Sequence, residues 1–216
     1  MTQVLSGFVV VWVIIAVGFL VGRSGVLGED ARTVLSRTAF YIGSPALLFV
    51  TLSGADVAAV LGPQLWVATL SALAAAALFL AISIPVFKQR PASERIMAAL
   101  SASMVNSANL GIPIAAYVLG DAALAAPVLI FQLAIYTPIY LALIDIAVLG
   151  RRPNPLSLLR SVATNPMILG SLLGVVFSAT GWQLPTVAHQ PIELISGAAI
   201  PCMLAAFGMS LVSHRP

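Results

Sequence analysis

Charged side chains are scarce in this chain. Asp, Glu, Lys and Arg make up 8% of its 216 residues, hydrophobic residues make up 60%, and the mean hydropathy is +1.06. A soluble domain carries about 25% charged residues, so this chain has too few polar groups to cover a water-exposed surface. The scarcity of charge excludes an ordinary soluble domain and indicates an integral membrane protein.

Cysteine and histidine are nearly absent as well. The single cysteine, Cys202, excludes a disulfide within the chain. Neither of the two histidines, His189 and His214, has a Cys or His neighbour at metal-ligand spacing, so we expect no metal and no cofactor. The sequence also has no nucleophile–base pair and no phosphate-binding G-x-x-x-x-G-K-[ST] loop, which argues against an enzyme and against ATP-driven chemistry.

Long apolar runs fill most of the chain. Each is about as long as the 20 residues that cross the hydrocarbon core, and each must be helical to satisfy its own backbone in lipid. The fold predicted is all-α, an integral membrane bundle of about seven transmembrane helices. We place the spans at roughly 4–22, 36–54, 64–87, 95–119, 123–149, 158–180 and 191–212.

Basic residues occur only in alternate loops. The first, third and fifth predicted loops and the C-terminal tail contain Arg23, Arg32, Arg37, Lys88, Arg90, Arg95, Arg151, Arg152, Arg160 and Arg215. Because Lys and Arg are enriched in cytoplasmic loops, this pattern predicts a multi-pass protein of the cell (inner or plasma) membrane. Its N-terminus would lie outside and its C-terminus in the cytoplasm.

The fourth predicted span contains the polar, helix-breaking sequence VNSANLGIP. Asn106 lies about ten residues, or roughly 15 Å, into the span, near the membrane midplane. Pro113 lacks a backbone donor and Gly111 loosens the same turn. We predict a break within 106–113, with a second half-helix that begins near Pro113 and directs its positive end at the midplane. Asn106 and Asn109 could then bind a ligand, as broken helices do in transporters, or serve as interhelical hydrogen-bonding residues beside a proline kink.

A weak internal repeat appears at an offset of 156 residues. The offset pairs Gly18 with Gly174, Gly25 with Gly181, Pro45 with Pro201, and Leu48 with Leu204. Since it covers five spans, an odd number, the two copies should have opposite orientation, as in inverted-repeat transporter folds. Residues 1–150 would form the first five-helix repeat, and 151–216 the first two helices of an incomplete second repeat. Pro45 and Pro201 are then paired kinks that support a helix crossover, or plain packing kinks.

Two polar residues lie in the fifth span. Gln132 shares a helix face with Tyr136 and Tyr140, and it either offers its amide to a substrate carboxylate or makes an interhelical hydrogen bond. Asp145 is the only acid within a span. It lies about 20 Å further along the helix, too far to join the same site. We expect an interfacial anchor or ion pair there in preference to a proton-coupling role.

These motifs resemble a known family. NSANLGIP followed by YVLGD, together with SPALLF in span two and FQLAIYTPIY in span five, resembles the auxin efflux carrier family, which includes plant PIN-type carriers and bacterial weak-acid transporters. The resemblance implies ten helices in two inverted repeats, with helices four and nine broken at the midplane, so a chain of seven spans would lack the last three. It also implies that Asn106 and Gln132 face an organic anion. Leu48 stands where the plant carriers have serine, which argues against auxin itself.

The sequence favours a secondary transporter of small organic anions or weak acids that works by alternating access. Its predicted substrate-binding residues are Asn106, Asn109, Gly111, Pro113 and Gln132. The alternative is a non-transporting truncated paralogue, or a subunit completed by another chain. The expected partners are the organic anion and the lipid bilayer, with a homodimer left open and no nucleic acid.

Overall fold

The computed structural model describes residues 2–55, 62–149 and 154–212, and all regular structure in these ranges is helical. The helices are α1 (Thr2–Ser24), α2 (Ala31–Ser53), α3 (Pro63–Val86), α4 (Ala92–Ser103), α5 (107–117), α6 (Ala122–Val148), α7 (Pro155–Ala163), α8 (Pro166–Thr180) and α9 (Thr186–Ser210). The predicted all-α class is confirmed.

Five helices in the described ranges are long and apolar enough to cross a membrane. They are α1, α2, α3, α6 and α9, and the pair α7–α8 counts as a sixth if it is one bent span. Helices α4 and α5 correspond to the predicted fourth span, and each is short because the span is interrupted. The helices therefore fit the predicted membrane bundle.

The predicted sixth span, 158–180, is wrong as a single straight helix. Helices α7 and α8 meet at an angle of 63°. The side-chain oxygen of Asn165 accepts hydrogen bonds from the backbone N–H groups of Met167 at 3.0 Å and Ile168 at 3.3 Å. This cap, followed by Pro166 in the first turn, starts a new helix and redirects the chain.

Two helix pairs pack closely through glycine. A Cβ on Gly18 of α1 would collide with the carbonyl oxygen of Ala205 in α9. A Cβ on Gly174 of α8 would lie 2.9 Å from the carbonyl oxygen of Phe49 in α2. The two contacts are related by the 156-residue offset, because Gly18 corresponds to Gly174 and Phe49 corresponds to Ala205. Equivalent residues therefore make equivalent contacts.

A third contact joins two residues that the 156-residue offset pairs with each other. A Cβ on Gly43 would lie 2.8 Å from the Cα atom of Ala199. Contact between equivalent residues is what a two-fold axis relating the two copies would produce. The glycine contacts support the predicted inverted repeat, although the division at residues 1–150 and 151–216 stays a prediction.

Pro45 and Pro201 each follow a local irregularity in a helix. Pro45 lies two residues after the π-helical stretch Ala39–Gly43. Pro201 lies three residues after Ala198, where the segment Thr186–Gly197 gives way to Ala199–Ser210. Since proline cannot donate to the preceding turn, an irregular turn ahead of it is the expected consequence.

Among the described residues, the basic loops before α2 and before α4 lie at the same end of the bundle as the end of α9. Gly7, near the start of α1, packs against the backbone of Tyr117 at the end of α5. Gly22, near the end of α1, packs against Met209 near the end of α9. The loop after α1, the start of α4 and the end of α9 therefore share one end, as the charge pattern requires. That this end faces the cytoplasm stays a prediction.

Candidate functional site

The fourth span is interrupted, as predicted, but the break lies at 104–106 and not within most of the predicted range 106–113, which is helical from Ser107 onward. Helix α4 ends at Ser103, and the next three residues are not helical: Met104 is extended, with φ −92° and ψ 125°, and Asn106 has φ −81° and ψ 66°. The chain becomes helical again at Ser107 through a π-type turn, Ser107–Gly111. Helix therefore lies on both sides of a break at 104–106.

The second half-helix begins earlier than the sequence predicted. It starts at Ser107, six residues before Pro113, because Asn106 caps it. The Asn106 side-chain oxygen accepts a hydrogen bond from Asn109 N–H at 3.2 Å, and the Asn106 carbonyl accepts one from Gly111 N–H at 3.0 Å. Pro113 lies at the start of the α-helical part, Ile112–Tyr117, where a missing donor is tolerated.

The N-terminal end of α5 is exposed, and the residues that follow it are buried. Ile112, Pro113 and Ala115 are buried in the main hydrophobic core, whereas Asn106 and Asn109 are exposed. The core fixes the half-helix and leaves both amide side chains open at its N-terminal end. This is the end where the helix dipole is positive.

Gln132 holds the break in place. This side chain of α6 is only 5% exposed. Its Nε2 donates to the carbonyl oxygen of Val105 at 2.9 Å, and its Oε1 accepts a hydrogen bond from the Ser107 hydroxyl. One side chain thus satisfies backbone and side-chain groups on both sides of Asn106. Of the two roles considered for Gln132, the interhelical hydrogen bond is the one that these contacts support.

A second pair of side chains continues the same line of contacts. The hydroxyl groups of Ser103 and Tyr136 are hydrogen-bonded to each other, and the Tyr136 hydroxyl lies 3.4 Å from that of Tyr140. Ser103 and Ser107 are four residues apart on one side of the contact. Gln132 and Tyr136 are four residues apart on the other side, in α6. Helix α6 is therefore joined by buried polar pairs to α4 on one side of the break, through Ser103, and to α5 on the other side, through Ser107.

Sequence reasoning missed Ser103 and Ser107. Their four-residue spacing matches that of Gln132 and Tyr136, and this was the only available signal. Serine is common in apolar helices, so the spacing becomes informative only when the register between α4 and α6 is known.

A cavity of about 490 Å³ lies between α3, the break and the start of α6. Its polar lining comes from Gln64, Ser71, Ser103 and Gln132, and the remainder is apolar, including Val105 and Phe131. The volume and the mostly apolar lining with a few polar groups suit a small organic molecule.

The predicted site residues do not all converge on this cavity. Gln132 lines it, whereas Asn106, Asn109, Gly111 and Pro113 do not. The break therefore presents two surfaces: the cavity beside Gln132, and the exposed amides at the start of α5. The side chain of Asp145 lies outside the described residues, so its predicted role stays a prediction.

Apolar helices of membrane-spanning length, together with one helix broken within the bundle, define a polytopic membrane protein of the transporter type. The chain matches the family described as "Membrane transport protein" over residues 3–147 and 153–215. It belongs to this family, the auxin efflux carrier family that its motifs indicate.

Relatives in other organisms agree with this assignment. The chain is 26% identical over 206 residues to an uncharacterized transporter of Methanothermobacter thermautotrophicus, covering 93% of this chain and 66% of that protein. It is 24% identical over 210 residues to the uncharacterized transporter YfdV of Escherichia coli (strain K12), covering 94% of this chain and 67% of that protein. The chain spans about two thirds of the length of these relatives.

Proposed function

We propose that the protein acts in secondary transport of small organic anions or weak acids across the cell membrane, with the substrate carboxylate at the break. The observation that carries the proposal is the pair of exposed amides, Asn106 and Asn109, at the N-terminal end of a half-helix whose remainder is buried. Amide donors and a positive helix end are the groups that bind carboxylates in broken-helix transporters.

The charge of the substrate follows from the groups available. The spans of this chain contain no Lys or Arg in their interior, so what this chain offers the anion is amide side chains, backbone N–H groups and about half a unit of dipole charge. Such groups cannot compensate two buried negative charges. The proposed substrates are therefore monoanions, including the ionised form of weak monocarboxylic acids.

Gln132 has a supporting part in this proposal. Its amide already bonds Val105 and Ser107, so a substrate would have to replace a buried hydrogen bond in order to use it. We assign it the role of holding the break open at 104–106. Asn106 and Asn109 then act as the direct carboxylate ligands, with Gly111 and Pro113 shaping the turn behind them.

The test is uptake by the purified full-length protein in liposomes with an imposed pH gradient. Radiolabelled aliphatic and aromatic monocarboxylates should accumulate above the level in protein-free liposomes, without ATP. Matched dicarboxylates should accumulate far less. Equal or faster uptake of the dicarboxylates would contradict the proposed carboxylate site, and no uptake of any acid would contradict the proposed function.

A further inference from the structure

Helix α7 is amphipathic although it adjoins a membrane span. At 100° per residue, Leu158, Leu159 and Val162 lie on one side of the helix and Ser157 and Ser161 lie on the other, with Leu156 and Arg160 next to each other at the border between them. The helix starts with a defined cap, since the Asn154 side-chain oxygen accepts from Leu156 N–H at 3.0 Å. It is therefore a bounded helix with two different faces.

Part of the apolar face of α7 is uncovered within the described chain, although Leu158 and Val162 are half-buried against neighbouring helices. Leu156 is 71% exposed and Leu159 is 64% exposed, and no residue of α7 is buried. The border of the polar face has one cation, Arg160, and Pro155–Ala163 contains no acidic residue. An exposed apolar stretch beside a polar face with a basic border is the pattern of helices that lie in a membrane interface.

The depth of α7 follows from the geometry of α8. The 15 residues of α8 rise about 22 Å, which is less than the roughly 30 Å of the hydrocarbon core. The nine residues of α7 measure about 13 Å, and the 63° bend leaves about 6 Å of this length along the α8 axis. Together the helices reach about 28 Å, so α7 occupies the last few ångströms before the headgroups.

Helix packing also defines the end of the bundle at which α7 lies. Gly170 of α8 packs against the backbone of Pro45 in α2, and Gly174 packs against Phe49 further along. The two helices therefore run parallel, and α7 precedes α8 at the end where α2 begins. This is the end that carries the basic loops.

We propose that α7 lies obliquely in the phospholipid interface at the basic end of the bundle. Leu156 and Leu159 enter the acyl-chain region, and Arg160 lies among the headgroup phosphates. The lipid surface is the occupant because a basic residue on the headgroup side matches their negative charge. An anchored α7 fixes the depth of α8 and, through the contact between Gly170 and Pro45, that of α2.

The test is depth measurement with nitroxide labels on the full chain in vesicles of phosphatidylcholine and phosphatidylglycerol. Cysteines replace Leu159 or Ser157 in a Cys202→Ala background. Power saturation compares the accessibility of each label to oxygen, which concentrates in lipid, and to a water-soluble nickel chelate. Leu172→Cys, on the exposed side of α8, and Gln183→Cys, in the exposed loop between α8 and α9, supply the lipid and water references.

The proposal requires opposite preferences at the two positions. The label at 159 should favour oxygen severalfold at a shallower depth than the label at 172, and the label at 157 should favour the nickel chelate severalfold. Three results would overturn it: both labels in water, both labels as deep as position 172, or a label at 159 shielded from both reagents by protein. The transport assay does not enter this test, so the proposal stands or fails separately from the proposed function.

Discussion

Gln132 donates a hydrogen bond from Nε2 to the backbone carbonyl oxygen of Val105 at 2.9 Å, and this bond spans two helices at the point where one of them is interrupted. A carbonyl freed from a helix ladder in an apolar environment is costly unless it finds a donor. Ser107 N–H donates to this carbonyl at 2.9 Å, and the buried amide supplies a second donor while it accepts from the Ser107 hydroxyl on the other side of Asn106. The break is therefore a stabilised part of the native structure.

Replacing Gln132 with leucine should destabilise the protein. The change removes one of the two donors to the Val105 carbonyl, which keeps the hydrogen bond from Ser107 N–H, and it leaves the Ser107 hydroxyl without its buried acceptor, at a cost of roughly 1–3 kcal/mol. The measurement is the thermal midpoint of the detergent-purified protein. Gln183→Leu, in the exposed loop between α8 and α9, is the matched control and should leave the midpoint unchanged. Equal midpoints for both variants would show that Gln132 does not hold the break.

Alanine at Gly18 or at Gly174 should destabilise the bundle by similar amounts. Both positions meet the backbone of a neighbouring helix, and overpacking of this kind costs about 1–3 kcal/mol. Gly54→Ala is the control, because its Cβ would enter open space. Thermal unfolding of the three variants provides the comparison. A large effect at one glycine and none at the other would argue against equivalent packing in the two proposed repeats.

A cysteine at position 90 should be protected from reagents outside the cell. Arg90 lies between α3 and α4, at the end of the bundle assigned to the cytoplasm by its basic residues. In a Cys202→Ala background, a membrane-impermeant maleimide should label Gln183→Cys in intact cells and should label Arg90→Cys only after lysis. The reverse pattern would invert the proposed topology.

The apolar runs, the alternation of basic loops and the Asn–Gly–Pro cluster predict the helices and the break. These features are local, and the lipid environment limits the chain to helices. The predicted start of α5, near Pro113, was wrong. The cap at Asn106 sets the first residue of this helix, and Pro113 lies further along it. Asn165–Pro166 is a helix-entry turn in the sequence, and the structure confirms it, since Asn165 caps α8; joining residues 158–164 to the same straight span was wrong.

The partners of Gln132 lay beyond sequence reasoning. Its face on α6 follows from helical periodicity, but its contact with Val105 and Ser107 depends on the register between two antiparallel helices. Without that register, the sequence could not decide whether Gln132 is a substrate ligand or makes an interhelical hydrogen bond. The contact between Gly43 and Ala199, by contrast, was not predicted, but it joins two residues that the 156-residue offset pairs.

The central claim is that the exposed amide of Asn106 binds an anion, and Asn106→Asp tests it most directly. Aspartate keeps the oxygen that caps Asn109 N–H, so the half-helix should persist and the thermal midpoint should not fall. It removes the amide donor and adds a negative charge beside the carboxylate. Substrate affinity in the full-length protein should therefore fall at least as much as in Asn106→Ala, for which loss of a charge-assisted hydrogen bond of roughly 1.5–3 kcal/mol predicts about ten- to hundredfold weaker binding. His189→Ala, in the outer region, should bind normally. Wild-type affinity in Asn106→Asp would show that Asn106 is a helix cap and that the anion binds elsewhere.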